Sequence, residues 1–300
     1  MALRKIATTL MSILFVIGIG AFFAVNAQEE DDSKEVKAQV FVDARPRRKS
    51  GSSAKYHRVS KTSAKGIELS DKDSSLAKLG LTIWRFRPTK PNDETKEIVT
   101  EEDEKPSEWT LERVEEGVAL APGQRIRLSI ESLSRDGYLY VIDREEYSDG
   151  TLGDPVLVYP TQKTASANFV QAGRLIYLPS STSRFKIKPS ESSKEHVAEV
   201  LTVIVAPKPL ITTDKLGAKS TRLQRIQVET WLKQWETSVV KFEMDGGAGQ
   251  AMTAVEQSAA KENSVLLTQE DPAPQTVFQI AAKPGTPLLI TVPLKFAKPN

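Results

Sequence analysis

The run Arg125–Thr161, RIRLSIESLSRDGYLYVIDREEYSDGTLGDPVLVYPT, constrains the fold of this chain more than any other stretch. Ile126, Leu128 and Ile130 alternate with Arg125, Arg127, Ser129 and Glu131. That is the period of an antiparallel strand with one face in the core and the other in water. Asp136-Gly137 is expected to form a hairpin-type turn. Tyr138–Ile142 follows, apolar on both faces, as in a central strand. Asp149-Gly150 and Gly153-Asp154-Pro155 make the next loop, and Val156–Tyr159 returns as a strand.

The pattern extends to both sides. In Leu79–Arg87, Leu81 and Ile83 point one way while Thr82, Trp84 and Phe86 point the other, so both faces are expected to be covered. Residues 88–108 are rich in Pro, Asp, Glu and Lys and are expected to make a solvated excursion before Trp109-Thr110-Leu111 rejoins the body. Ala121-Pro122-Gly123 is a turn. Short strands are predicted at Arg174–Leu178, Arg184–Lys188 and Val197–Ala206. Many short strands between turn residues predict a mainly β domain over 76–210, an antiparallel β-sandwich of jelly-roll or Ig-like type.

Residues 211–300 change character and are expected to form an α+β extension packed on the sandwich. Val228, Trp231, Leu232 and Trp235 make one apolar stripe in a helix predicted over Leu216–Thr237. A second helix is predicted over Gln250–Glu262, with Met252, Val255 and Ala259 on one face. Strands are expected at Val239–Met244, Thr276–Ala282 and Leu288–Phe296. Pro287 and Pro293 cannot donate to a ladder, which places the last strand at a sheet edge.

Residues 1–27 have the form of an export signal. Arg4 and Lys5 precede an apolar run from Leu10 to Ala24, and Val25-Asn26-Ala27 offers small residues for cleavage near Ala27. The run is shorter than the ~20 residues that span a bilayer, and an uncleaved anchor is the alternative reading. No cysteine occurs, which removes disulfides and a lipid-modified cysteine from consideration. A secreted or periplasmic bacterial protein is expected. Arg4 and Lys5 account for the formal charge of +2, leaving 39 basic against 39 acidic residues. A whole-protein electrostatic case for nucleic acid therefore fails.

Residues 28–75 are expected to be a largely disordered basic tether, with one short strand at Val36–Val42. Residues 44–66 carry eight Lys or Arg and no acid, and no apolar periodicity. One reading is a solubilising tether. The other is a contact to an anionic surface through Arg45, Arg47, Arg48 and Lys49, which added salt would weaken.

Chemistry-bearing residues are sparse. His57 and His196 stand apart, without a cysteine or second histidine for zinc. His196 is the histidine a Ser-His-Asp arrangement would have to use, and an isolated structural role is the simpler expectation. Asp143, Glu145, Glu146, Asp149 and Asp154 fall in one strand end and its loop. Such oxygens suit a hard cation such as calcium, although the spacing does not match an EF-hand and Arg144 opposes the field. A glycosidase pair would need two carboxyls facing each other across a cleft. The plain reading is a solvated loop whose Asp and Gly set the turns. Tyr138, Tyr140, Tyr159 and Tyr177 are expected largely in the core. Tyr147, in the loop, is the candidate for an exposed contact. Gly246-Gly247-Ala248-Gly249 lacks the lysine of a phosphate loop. No cofactor is expected.

The GYLYV-D strand (Gly137–Asp143), the Asp149-Gly150 loop, the strand ending Tyr159-Pro160 and the run Ala172–Pro179, AGRLIYLP, together resemble a bacterial family of exported proteins catalogued as a domain of unknown function. The resemblance covers about Leu79–Leu210. It implies a β-sandwich in exported or surface-associated proteins, and no catalytic residues. The expectation is a non-catalytic binding or scaffolding module of the envelope, with a protein or envelope polymer as partner and membrane contact only through the signal or weak charge attraction. Two alternatives are a carboxylate- or calcium-dependent hydrolase of an extracellular or wall polymer, and an accessory subunit beside a separate enzyme or transporter.

Overall fold

A computed structural model describes residues 36–47, 54–62, 76–100, 105–189, 195–261 and 266–297. All of them belong to the unit Ser33–Asn300. The export-signal reading lies outside the described residues. No helix among them is long and apolar enough to cross a membrane.

The strands in chain order are β1 (Val36–Lys37), β2 (Lys55–Thr62), β3 (Ala77–Pro88), β4 (Glu97–Val99), β5 (Ser107–Val114), β6 (Arg125–Ser132), β7 (Gly137–Tyr147) and β8 (Val156–Tyr159). They continue as β9 (Phe169–Val170), β10 (Leu175–Leu178), β11 (Phe185–Lys186), β12 (His196–Ala206), β13 (Thr221–Arg222), β14 (Val239–Met244), β15 (Thr276–Ile280) and β16 (Leu288–Lys295). Helices α1 (Arg225–Gln234) and α2 (Ala254–Lys261) complete the order. The predicted strand at Val36–Val42 reduces to β1 followed by a 3-10 turn at Ala38–Val40. The turn carries Ala38, Phe41 and Val42 together into one buried cluster, which alternation along a strand would not allow.

Two antiparallel sheets face each other, as the sandwich expectation required. The larger runs β1-β2-β14-β15-β3, with β6 on the other side of β3 carrying β10 and β11, and with β5 and β4 beside the second half of β3. The smaller runs β13-β8-β7-β12-β16, with β9 against β7. Between them Leu79, Leu81 and Ile83 of β3 and Ile126, Leu128 and Ile130 of β6 meet Leu139 and Val141 of β7 and Leu201, Val203 and Val205 of β12. Each such side chain stabilises the fold by about 1.5–3 kcal/mol through burial.

Four expectations require correction. Asp136-Gly137 does not close a hairpin, because β6 and β7 lie in different sheets. Gly137 instead lets the backbone enter the smaller sheet against Ala206, where a Cβ would lie 2.8 Å from the Ala206 carbonyl oxygen. Second, β6 is buried on both faces: Arg127, Ser129 and Glu131 are as buried as its isoleucines. A layer containing α2, residues 38–47 and residues 266–275 covers that face, and the buried charges are paired. Arg127 bridges Glu97 at 2.7 and 2.9 Å, and Arg113 pairs with Glu256.

Third, residues 54–62 are not tether. β2 pairs with β14, and Tyr56 is fully buried with its hydroxyl donating to the Pro274 carbonyl. One aromatic anchor and a backbone ladder hold a segment whose side chains are mostly polar. Fourth, residues 211–300 do not pack on a finished sandwich. β14 and β15 stand between β2 and β3 in the larger sheet, and β16 closes the core from the smaller one. The predicted helix at Leu216–Thr237 shortens to α1, because a tight turn at Gly217 precedes the pairing of β13 with β8. The stripe Val228, Trp231, Leu232 and Trp235 packs as expected, here on Tyr140, Ile142 and Ile204 at the outer face of the smaller sheet.

Candidate functional site

Among the described residues, two places that bring functional side chains together stand out. The first continues the inward stripe of the smaller sheet. Along β7 the residues facing the core run Leu139, Val141, Asp143, Glu145 and Tyr147, and along β12 they run Val205, Val203, Leu201 and Glu199. Period-two geometry thus carries an apolar stripe into an acidic mouth. Asp143 stands opposite Leu201, and Glu145 stands opposite Glu199. Asp143 and Glu199 line both a hollow of about 340 Å³, with Glu145, Tyr147, Asp154 and Arg222, and a smaller one of about 100 Å³ among Ile126, Leu128, Phe185 and Phe296.

The electrostatics of this mouth follow from burial and from the nearness of the two acids. Burial raises Asp143 above the ordinary carboxylate range, while a hydrogen bond with Glu199 works against the rise. Glu199 is held well above that range, first by burial and then by the charge of Asp143. The pair therefore favours a state with one proton between two carboxyls. Among the described residues Asp143 Oδ1 and Glu199 Oε2 meet no hydrogen-bond donor, and a shared proton would satisfy both. His196 approaches with Nε2 3.6 Å from Glu199 Oε2, while the same nitrogen is 2.9 Å from the Ala198 carbonyl oxygen. Its ring packs edge-on to Phe296 at 4.7 Å.

The five acids singled out in the sequence do not assemble around a point. Asp143 and Glu145 face inward, whereas Glu146 sits on the opposite side of β7. Asp149 accepts from the Thr151 amide and hydroxyl at 2.9 and 2.6 Å and sets its own turn. Asp154 pairs with Arg225 at 2.9 Å. Among the described residues no group of three carboxylates or imidazoles could hold a metal ion, which corrects the calcium reading. Alternation separates neighbours, and Glu145, Asp149 and Asp154 already have partners.

Tyr147 is not an exposed contact; it ends β7 half-buried with its hydroxyl on Glu145. Arg45 is not a surface cation either. Its guanidinium lies fully buried against Glu131 at 2.7 and 2.6 Å and donates to the carbonyls of Thr268, Asp271 and Pro272. Arg47 is exposed, and Arg48 and Lys49 lie outside the described residues. His57 pairs with Asp245 at 2.5 Å on the surface. Glu199 was missed in the sequence because its partner acid is 56 positions away, and only the β7–β12 register joins them.

The second place is a groove of about 570 Å³ between α1, β14 and β16, lined by Leu232, Trp235, Val239, Lys241, Phe278 and Leu289. Trp235 stacks on Trp231 with ring centroids 5.7 Å apart. Lys241 is held by Glu116 at 3.1 Å. Among the described residues β12 is the one strand that pairs with β16, so the edge bordering this groove is the edge of the smaller sheet. Pro293 sits on it, as its sequence predicted. Comparison with known protein families, curated proteins and solved structures finds no match for the chain.

Proposed function

We propose that this chain is an exported, non-catalytic binding or scaffolding module of the bacterial envelope. The groove beside β16 carries the reading: a concave, partly aromatic surface bordered by an open strand edge is what a binding site needs before it has a ligand. The charged signal-like start, the lack of cysteine and the balanced charge of the remainder support export and a partner selected by a local surface. The partner class is a protein or an envelope polymer. Affinity capture from envelope extract tests this. Trp235→Ala and Glu236→Arg, with thermal melting unchanged, should each release the captured partner. Capture that is indifferent to both would remove the groove from the account.

A second reading is favoured by the Asp143–Glu199 pair: a carboxylate-dependent hydrolase of an extracellular or wall polymer. A carboxyl kept protonated beside an ionised one, in a hollow, has the electrostatic form of an acid–base pair. It requires saturable turnover of a polymer substrate that Glu199→Gln and Asp143→Asn abolish. Undiminished turnover in both variants would end this reading.

A further inference from the structure

The two sheets are unequal in width, and the difference lies at the groove. β16 places Leu288 and Ile290 in one core with Phe278 and Ile280 of β15. The larger sheet continues past β15 into β14 and β2, whereas among the described residues the smaller sheet has no strand beyond β16. Val239 and Lys241 of β14 and Ser60 of β2 line the space left over.

The edge of β16 is also set up chemically. Phe296 donates to the Val197 carbonyl at 2.8 Å, which fixes the even-numbered residues of β16 as those bonded to β12. Leu289, Thr291, Pro293 and Lys295 therefore turn their backbone groups outward. Leu120 takes the Lys295 carbonyl at 2.8 Å, and Pro293 has no amide to offer. The outward N–H and C=O groups of Leu289 and Thr291 face the gap, and among the described residues no strand pairs with them. Donors and acceptors repeating every second residue are matched by the backbone of another extended chain.

We propose that the groove receives an extended peptide segment as an additional strand of the smaller sheet, antiparallel or parallel to β16 across Leu289–Thr291. This rests on the binding-module reading and names its ligand class. Alternate side chains of the segment would point into the sandwich, toward Phe278 and Val239, and should be aliphatic. The others would point outward beside α1. On that side Glu229 and Glu236 outweigh Lys233, while Lys241, on the face of β14 that carries Val239, has its charge already taken by Glu116. Lysine or arginine at the outward positions is therefore favoured. A strand of this kind gains affinity from main-chain bonds and selectivity from alternate side chains.

The test uses the full chain and an array of soluble seven-residue peptides with aliphatic residues at alternate positions and Lys, Thr or Ser between them. The expected result is saturable binding that is strongest for lysine-bearing members, with slowed hydrogen exchange at the Leu289 and Thr291 amides. Thr291→Pro should weaken binding at least tenfold. It removes an outward amide only, at a position equivalent to the natural Pro293, so pairing with β12 is left in place. If that variant fails to fold, peptides N-methylated at alternate amides report on the wild-type protein and should lose binding by a similar factor. No binding by any array member, or binding indifferent to N-methylation and to Thr291→Pro, overturns the added strand. Concentration-dependent dimerisation that protects the same two amides also overturns it, in favour of a second copy. In each case the envelope-capture experiment with Trp235→Ala still decides separately whether the groove binds anything.

Discussion

Glu131 and Glu199 are both strand glutamates, the first on the covered outer face of the larger sheet and the second on the inner face of the smaller one, and they differ in depth and in partner. Glu131 is fully buried on β6 and meets Arg45 through both carboxylate oxygens. Glu199 is less buried on β12, with its side chain 23% exposed, and its nearest charged neighbour on that face is another acid. The more deeply buried group meets a guanidinium fork, while the shallower one, beside another acid, has its affinity for a proton raised. Depth alone does not set the surroundings of a buried carboxyl. The partner does.

The largest effect that could break this comparison is expected from Glu131→Ala. It leaves the Arg45 guanidinium buried without an anion and should lower stability by about 3–5 kcal/mol in urea denaturation. A loss under ~1 kcal/mol would mean the ion pair is not needed. Next comes the double variant Arg45→Met with Glu131→Leu. It should recover about 1–3 kcal/mol relative to Glu131→Ala, measured as a coupling in a double-mutant cycle. It should not exceed wild type, because the carbonyls of Thr268, Asp271 and Pro272 lose their donor.

A third prediction concerns the acidic mouth. Folding raises the affinity of Glu199 and Asp143 for a proton, and the unfolded chain releases these protons at about pH 4. The folded state binds more protons above that point, so the contribution of this pair to stability is full below about pH 4 and is lost as pH rises toward the alkaline range. The slope is at most about 1.4 kcal/mol per pH unit for each retained proton. Glu199→Gln should flatten it, as read from urea midpoints at pH 5 and pH 8. An unchanged slope would place the retained proton elsewhere. The smallest effect is expected at Asp154→Ala. Its bridge to Arg225 is exposed on both sides, and the loss should stay within about 1 kcal/mol and vanish in high salt.

The same contrast separates what was legible in the sequence from what was not. The strands around Arg125–Tyr159 announce themselves because apolar residues fall on every second position. Pro293 at an edge follows from its missing amide. The burial of Arg127 and Glu131 could not be read that way. Alternating charge on a strand looks the same whether water or another layer lies over it, and the layer comes from residues 38–47, α2 and residues 266–275. Likewise the basic composition of 44–66 suggested a tether, yet Arg45 and Tyr56 reach partners more than 80 and 200 positions away respectively.

Local periodicity and turn chemistry, then, were determined by the sequence alone: a mainly β chain, two faces to its central strands, a helix with one apolar stripe. These depend on nearest neighbours along the chain and on the fixed geometry of a pleated backbone. Tertiary structure alone decided which charges meet, that Glu199 shares its surroundings with Asp143, and that one sheet stops short of the other. Those outcomes depend on strand register and sheet width, which are set by contacts between distant segments that no local pattern records.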